Sequence, residues 1–496
     1  MSSDDSYLTD DSSIEVSNDP AELRMAEIQL HVALINGESV DDATKQIRMM
    51  QAEALMDNNV LSDSSESDDD EYDIPIATPR KKPRKALRVK TEHSHWYKLY
   101  LAPDKVQAIR EEESNEDCKE GTIAYTFRMM FRVTMHIFDH LVDVATRDGW
   151  YDNEATDNAG RKVKDVRLLI LGCLHMIGHD AKIRVVTTNT GVSRTTQKRF
   201  FDRWITKMSS LKDNYIYLPR DNDELRRITD DYQRVGFPGC VGSIDVVHVS
   251  WDRCPAELRN IYKGKEKFPC VGFQVVSSSR RFIQYVSKGF PGSLNDKTTV
   301  KYVDCVEDIL SGKHWLGRCQ WYTNKLDGGV GCFTGCYFIC DGGYLEWPCL
   351  VSPLEEAGNK HLKRYKKALS ATRKDVECTF GILKSRFVWL KNCNHERRSD
   401  TIHKVFVTAC ILHNLLLKED GHLDKADPLM RGGEMERLRD SLGIGHTISM
   451  SAISEEDMRL IERGDYQTEW RRRIFYIAEH MAASRKQALR AASCLY

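Results

Sequence analysis

The sequence predicts an α/β domain built on a mixed sheet, preceded by an all-α helical domain. Two observations indicate this. Residues 126–204 carry apolar side chains mostly three and four positions apart, as amphipathic helices require. Residues 236–300 change to short apolar runs typical of strands, and a helix, a further strand and basic helices follow.

The bulk composition is that of a soluble chain of several domains. The chain has 496 residues, 41% of them hydrophobic, and a formal net charge of −2. Length alone suggests two to four domains. No apolar run approaches the roughly 18 residues that a membrane span needs. The first residues lack the basic and apolar regions of a signal peptide, which argues against secretion and for reduced cysteines.

Opposite charges are segregated near the N-terminus. Residues 1–77 are rich in Asp and Glu and are predicted to be disordered, because such a segment buries too little apolar surface to offset its ordering entropy. Residues 78–92 are densely basic and proline-punctuated. They favour a nuclear import signal over a solvated linker. The cations of this signal are Arg80, Lys81, Lys82, Arg84 and Lys85.

The helical domain is predicted over residues 93–235. It contains an amphipathic helix around 126–142, a second from about Asp165 to Ile177, and a helix-turn-helix-like stretch over 185–204. Gly191 would form the turn and Ser193 the N-cap. The following helix carries Arg194, Lys198, Arg199 and Arg203, which could meet DNA phosphates. A structural helical domain with a solvated basic face explains the pattern as well.

Strands are predicted at 241–249, 271–276, 282–286 and 337–340, with a hairpin joining the second and third, and a helix at 298–310. Residues 361–387 are basic and predicted to be helical. On a helix from about residue 371, Glu377 would lie beside the apolar stripe, and Gly381 would let another backbone come close. An apolar helix over 405–417 would pack on the sheet, with His413 as a hydrogen-bonded structural residue rather than a metal ligand. Residues 419–496 are predicted to form a helical extension.

Asp245 is a carboxylate in the middle of an apolar strand, where an unpaired charge is costly. Asp341, at a strand end, and Glu377, on a helix, could join it. Carboxylates from three separate elements are what a two-metal phosphodiester site needs. Each acid alone has a plainer explanation: Asp341 could start a Gly-Gly turn, and Glu377 could pair with Arg373 one turn earlier.

Several motifs occur in a fixed order over about residues 125–420, and together they resemble the Harbinger-type DDE transposases of the plant-transposon-protein branch. The motifs are Gly242-Ser-Ile-Asp245, Tyr262-Lys-Gly-Lys-Glu-Lys-Phe-Pro269, Gly289-Phe-Pro-Gly-Ser-Leu-Asn-Asp296, Cys340-Asp-Gly-Gly-Tyr344, Arg373-Lys-Asp-Val-Glu-Cys-Thr-Phe-Gly381 and Leu412-His-Asn414.

The resemblance implies an RNase H-like DDE catalytic domain over 236–418, with Asp245, Asp341 and Glu377 as catalytic residues and ligands of two Mg²⁺ or Mn²⁺ ions. Asp296 is given a loop-ordering role. The reaction would be cleavage and joining of DNA, at transposon ends and target. A separate Myb-like protein would supply end binding, and a homo-oligomer is allowed.

Cations around the predicted catalytic helix are candidates for DNA phosphate contacts. They are Lys363, Arg364, Lys366, Lys367, Arg373, Lys374, Lys384 and Arg386. The expected location is the nucleus. One alternative is a domesticated DNA- or chromatin-binding protein without catalysis. A ribonuclease is allowed by the implied fold, but no motif points to it.

Overall fold

The computed structural model describes residues 90–115, 119–151, 156, 163–265, 267–354, 359–392, 396–420 and 466–493. The predicted acidic segment 1–77, and all but the last three residues of the basic segment 78–92, lie outside these ranges, as does 421–465. No helix in the described ranges is long and apolar enough to cross a membrane.

A mixed sheet is organised around strand β1 (Cys240–Ser250). It pairs antiparallel with β2 (Cys270–Ser277) and parallel with β7 (Tyr337–Ile339). In the described chain the order is β3-β2-β1-β7-β8, with β4 also on β2. The other strands are β3 (Ile283–Val286), β4 (Phe290–Pro291) and β8 (Leu350–Val351). The four predicted strands and the hairpin joining β2 to β3 are confirmed.

The sheet lies inside the molecule, as the burial of its residues shows. Every residue of β2 is buried, as expected for a strand covered on both faces. In β1, Asp245 is only half-buried among apolar neighbours. The helices flank the sheet, so the predicted α/β class is confirmed, and the arrangement is consistent with an RNase H-like fold.

Helices precede the sheet, as predicted. A 3₁₀ turn (Thr91–His93) and a π-helical turn (Tyr97–Leu101) come first. The α-helices are α1 (Pro103–Ser114), α2 (Ile123–Phe131), α3 (Met135–Arg147), α4 (Val166–His179), α5 (Ile183–Thr190), α6 (Arg194–Ser210), α7 (Lys212–Tyr215) and α8 (Asn222–Gln233).

The prediction of one helix around 126–142 is wrong, because the chain breaks between α2 and α3. Arg132 adopts a left-handed conformation with φ of 62° and ends α2. Thr134 then starts α3 by accepting a hydrogen bond from the amide of Ile137. Hydrophobic periodicity does not reveal this break, because it continues through Thr134. The threonine itself, a common N-cap residue, was the signal for a new helix.

The two helices and the turn predicted over residues 185–204 are present as α5 and α6. Gly191 ends α5 with φ of 62°, a conformation that glycine adopts at little cost. Ser193 begins α6 by accepting a hydrogen bond from the amide of Thr196. Helix α6 buries Phe200, Phe201 and Trp204.

The described helices after β1 are α9 (Arg259–Tyr262), α10 (Asp296–Thr299), α11 (Asp304–Leu310), α12 (Lys360–Arg386), α13 (Trp389–Asn392), α14 (Ser399–Glu419) and α15 (Tyr466–Ser493). Three of them are long, α12, α14 and α15, and they pack on the sheet and its neighbours. The predicted helix 298–310 is interrupted, because Val303 is extended between a 3₁₀ turn and α11.

A hairpin that sequence reasoning missed lies between α11 and β7. Its strands are β5 (Gln320–Asn324) and β6 (Val330–Thr334), paired antiparallel. The overlooked signal was the Asp327-Gly-Gly turn between two short runs of alternating side chains.

The predicted helical segment 361–387 is confirmed as α12, which begins at an N-cap formed by Asn359 and runs for 27 residues across β1. Val376, Leu383 and Phe387 are buried as expected. The close approach predicted at Gly381 is wrong: this residue is exposed, and nothing lies within 4 Å of where its Cβ would be.

Candidate active site

The parallel pairing of β1 and β7 places Asp245 and Asp341 at the same level of the sheet. Ser243 pairs with Ile339. Each acid lies two residues after one member of this pair, so both occur at the level where β7 ends and on one face of the sheet. Asp245 is inside β1, and Asp341 follows the end of β7 after one intervening residue, Cys340.

Both oxygens of Asp245 accept hydrogen bonds. Its Oδ1 accepts from the amide of Val246 at 2.9 Å, and its Oδ2 accepts from Nη1 of Arg373 at 3.0 Å. Burial raises the pKa of Asp245 to about 6, and the charges of Asp341 and Asp296 add to the rise. The amide and the guanidinium oppose it. The carboxylate therefore lies where burial and other acids disfavour its negative charge.

Asp341 also starts the Gly-Gly turn, the simpler role that the sequence allowed for it. Its Oδ1 accepts a hydrogen bond from the amide of Gly343 at 2.7 Å. This contact fixes the side chain at the end of β7 and leaves its other oxygen outside that turn. The turn and the carboxylate position are therefore compatible.

Asp296 is the acid that sequence reasoning set aside. The capping contact at this loop is made by Asn295, whose side chain accepts from Thr298, and Asp296 is the first residue of α10. A Cβ at Gly343 would lie 2.9 Å from Oδ1 of Asp341 and 3.2 Å from Oδ2 of Asp296, so the two carboxylates face the same small space. Burial, and then Asp341, raises the pKa of Asp296.

Glu377 reaches this region through Arg373. The two residues are one turn apart on α12, and Nη2 of Arg373 lies 2.6 Å from Oε1 of Glu377. The ion pair that was the plainer explanation for Glu377 is present. The same guanidinium also binds Asp245, so one arginine joins two of the three predicted catalytic acids. Sequence reasoning had assigned Arg373 to DNA instead.

The donor chemistry suits a hard divalent cation, because carboxylate oxygens are the ligands that Mg²⁺ and Mn²⁺ take. The side chains of Asp245 and Glu377 are 19% and 47% exposed, so both are accessible to an ion. Nevertheless, in the part of the chain that the structure describes, no three His, Cys, Asp or Glu side chains are grouped closely enough to hold a metal. Arg373 lies between two of the acids.

The cations predicted to bind DNA divide into two sets by exposure. Lys366, Arg373, Lys384 and Arg386 are half-buried. The exposed ones are Lys363, Arg364, Lys367 and Lys374 on α12 and Arg194, Lys198 and Arg199 on α6. Lys198 also pairs with Asp202 and Glu396 at 3.1 Å and 3.6 Å.

Two cations of the half-buried set have roles within the fold. The ammonium of Lys384 donates to the carbonyl of His248 in β1 at 2.7 Å. Burial lowers the pKa of Arg386. These placements favour a structural role for both residues, because each side chain is turned toward the protein.

His413 has the structural role predicted for it. Its Nε2 lies 3.0 Å from the carbonyl oxygen of Arg281, and the side chain is fully buried. The neighbouring Asn414 bonds both the amide and the carbonyl of Ile283 and also the carbonyl of Tyr215. This clamp, which sequence reasoning missed, attaches α14 to β3.

Comparison with known proteins identifies one domain. The model of the plant transposon protein family matches residues 213–424. "Protein ALP1-like" of Arabidopsis thaliana is 21% identical over 315 residues, covering 62% of this chain and 75% of that protein. "Putative nuclease HARBI1" of Bos taurus and of Homo sapiens are each 23% identical over 233 residues, covering 46% of this chain and 60% of each relative. No solved structure matches the chain.

The family match and the sheet that carries Asp245 and Asp341 cover the same part of the chain. The motif resemblance found in the sequence, over about residues 125–420, includes most of this segment and extends further toward the N-terminus. The chain carries a plant transposon protein domain at residues 213–424 and is similar to proteins of the Harbinger-type, transposase-derived family.

Proposed function

We propose that this protein is a metal-dependent DNA endonuclease of the transposase type, with Asp245, Asp341 and Glu377 as its catalytic acids. The observation that carries the proposal is their arrangement. Two acids lie at one level of adjacent parallel strands, and the third is joined to the first through Arg373. The nuclease name of the HARBI1 relatives agrees with it.

The acids would hold two Mg²⁺ or Mn²⁺ ions. When bound, such ions activate an attacking oxygen and stabilise the leaving one in phosphodiester cleavage. Asp245 supplies oxygens from the rigid centre of the sheet, and Asp341 is oriented by the amide of Gly343. Both are therefore positioned by backbone structure rather than by flexible contacts, which precise phosphoryl chemistry requires.

DNA would be bound by the exposed cations. Those of α12 precede or flank Glu377 on the same helix, so phosphates held there would lie along the element that carries a catalytic acid. Arg194 and Arg199 offer a second surface on α6. The proposal includes four further points that the family resemblance implies. The substrates are transposon ends and target DNA, a Myb-like protein is the partner, the protein self-associates, and it is located in the nucleus.

Plasmid cleavage tests this function. The full chain, with Mg²⁺ and its partner protein, should nick a supercoiled plasmid that carries the sequences flanking the gene. Asp245→Asn and Asp341→Asn should each abolish nicking, and Asp223→Asn, an exposed acid on α8, should not. Absence of cleavage by the wild type under these conditions would refute the proposal.

The alternative is a domesticated DNA- or chromatin-binding protein without catalysis. Two observations favour it: Arg373 neutralises two of the three acids, and no group of three ligands is assembled in the described residues. A cellular phenotype shared equally by the wild type and Asp341→Asn would select this alternative.

A further inference from the structure

Arg373 places a positive charge between two carboxylates, those of Asp245 and Glu377. It lies on α12, one turn before Glu377, and its side chain is 23% exposed. Its two terminal nitrogens are divided between two acids, with Nη1 on Oδ2 of Asp245 and Nη2 on Oε1 of Glu377. A planar guanidinium can bridge two carboxylates in this way, whereas the single ammonium of lysine cannot do so with the same geometry.

The same two oxygens face the space between Asp245 and Glu377, where a metal joining the two acids would lie. A divalent ion that takes these two oxygens as ligands competes with the guanidinium for them, because the two cations repel each other and use the same lone pairs. The bridging contacts must therefore break when such an ion binds. Asp341 is not in this bridge, since its resolved contact is with the amide of Gly343.

We propose that Arg373 is an internal counter-ion that holds Asp245 and Glu377 together without metal and competes with a divalent cation for them. This inference rests on the proposed metal site. It makes Arg373 a positioning residue that weakens metal binding between these two acids, while the Asp341 side of the site stays free of this competition. Metal binding would thus require Arg373 to release both carboxylates.

Manganese binding by the full chain tests the proposal without any measurement of cleavage. Titration of free Mn²⁺ followed by electron paramagnetic resonance should show Arg373→Gln binding Mn²⁺ about ten-fold more tightly than the wild type, because two charge-assisted hydrogen bonds no longer have to break. Arg373→Lys, which keeps the charge and loses the bridge, should also bind more tightly, by a smaller factor.

The matched control is Arg220→Gln. Arg220, just before α8, also pairs with a glutamate four residues later, Glu224, at 3.0 Å, and this ion pair involves none of the three acids. This variant should bind Mn²⁺ like the wild type. A melting curve for each variant confirms that it is folded before the titration.

Two results would overturn the competition. One is Mn²⁺ affinity in Arg373→Gln equal to or weaker than that of the wild type. The other is wild-type affinity in Arg373→Lys, since removal of charge alone would then explain any gain in the glutamine variant. Asp245→Asn separates the two levels: unchanged Mn²⁺ binding in that variant would refute the metal site itself, and the inference with it.

Discussion

Asp245 is subject to opposing effects, some that destabilise its negative charge and some that stabilise it. Its carboxylate is in the central strand of the sheet, where burial and the charges of Asp341 and Asp296 raise its pKa. One backbone amide and one guanidinium compensate in part. A buried charge kept by such incomplete compensation is typical of functional sites, where a ligand completes the balance.

His413 provides a residue-scale prediction about pH. Burial, with the nearby charges of Arg386 and Arg281, lowers its pKa to about 4. In the unfolded chain, His413 is protonated as the pH falls below about 6.5, whereas in the folded chain it stays neutral until about pH 4. Stability should fall as the pH falls through this window, by up to about 3 kcal/mol for this residue.

Urea unfolding at pH 7 and pH 4.5 measures the effect. His413→Gln should lose less unfolding free energy between these two pH values than the wild type, although it is less stable at pH 7. His403 is also buried with a pKa lowered to about 4, so part of the loss should persist in the variant. An equal loss in both proteins would contradict the assignment.

Sequence reasoning at this scale could select the three acids but not the contacts among them. Asp245 was visible as a charge in an apolar strand, and Asp341 and Glu377 through their motifs. The Arg373–Glu377 pair was visible as a one-turn spacing. The bridge to Asp245 was not, because it depends on where α12 crosses β1, and no local pattern encodes this crossing. The proximity of Asp296 to Asp341 was equally invisible, because it also depends on how distant parts of the chain pack together.

At the scale of elements, two glycines allow a matched comparison. A Cβ at Gly264 would lie 1.9 Å from the carbonyl oxygen of Gly292, so two backbones meet there directly. At Gly381, on the exposed face of α12, a Cβ would meet nothing within 4 Å. The first glycine is required by close packing, and the second costs the helix conformational entropy.

The prediction is opposite in sign for the two sites. Gly264→Ala should destabilise the protein by about 1–3 kcal/mol, because the backbones must separate. Gly381→Ala should stabilise it by up to about 1 kcal/mol, because alanine favours the helix. Thermal melting of both variants checks this. A loss of stability in Gly381→Ala would show that the helix needs glycine there.

Elements were predictable where one periodicity held over a buried run, as in β1, β2 and α14. Errors occurred where a cap or an extended residue interrupted the pattern. Thr134 divides α2 from α3, and Val303 separates the short helices around residue 300. The hairpin of β5 and β6 was missed because its strands are short and each buries only part of its residues.

At the scale of the molecule, the C-terminal helix α15 belongs to the core that supports the site. It packs on α12, on the β5–β6 hairpin and on β8. Trp470 is 2% exposed and donates its indole N–H to the carbonyl of Leu350 at 2.9 Å. Arg473, which is buried, donates to the carbonyls of Thr334 and Gly335. The helical extension was predicted, but its place against the sheet was not, since it lies outside the matched family segment.

Substitution of Trp470 tests this dependence. Trp470→Ala should destabilise the whole protein by about 3–5 kcal/mol, the usual cost of removing a buried tryptophan. Phe475→Ala, at an exposed position of the same helix, should change stability far less. Denaturant unfolding distinguishes the two, and a small loss in Trp470→Ala would mean that α15 is dispensable to the core.

The central claim is that Asp245, Asp341 and Glu377 act as one metal-bearing unit in DNA cleavage. Residues that act as a unit show non-additive losses. The most direct measurement is the Mg²⁺-dependent nicking rate of Asp245→Asn, of Glu377→Gln and of the double variant, each with the partner protein present. If the three acids act as one unit, each single variant should lose as much activity as the double variant. Wild-type nicking by either single variant, or losses that simply multiply in the double variant, would contradict it.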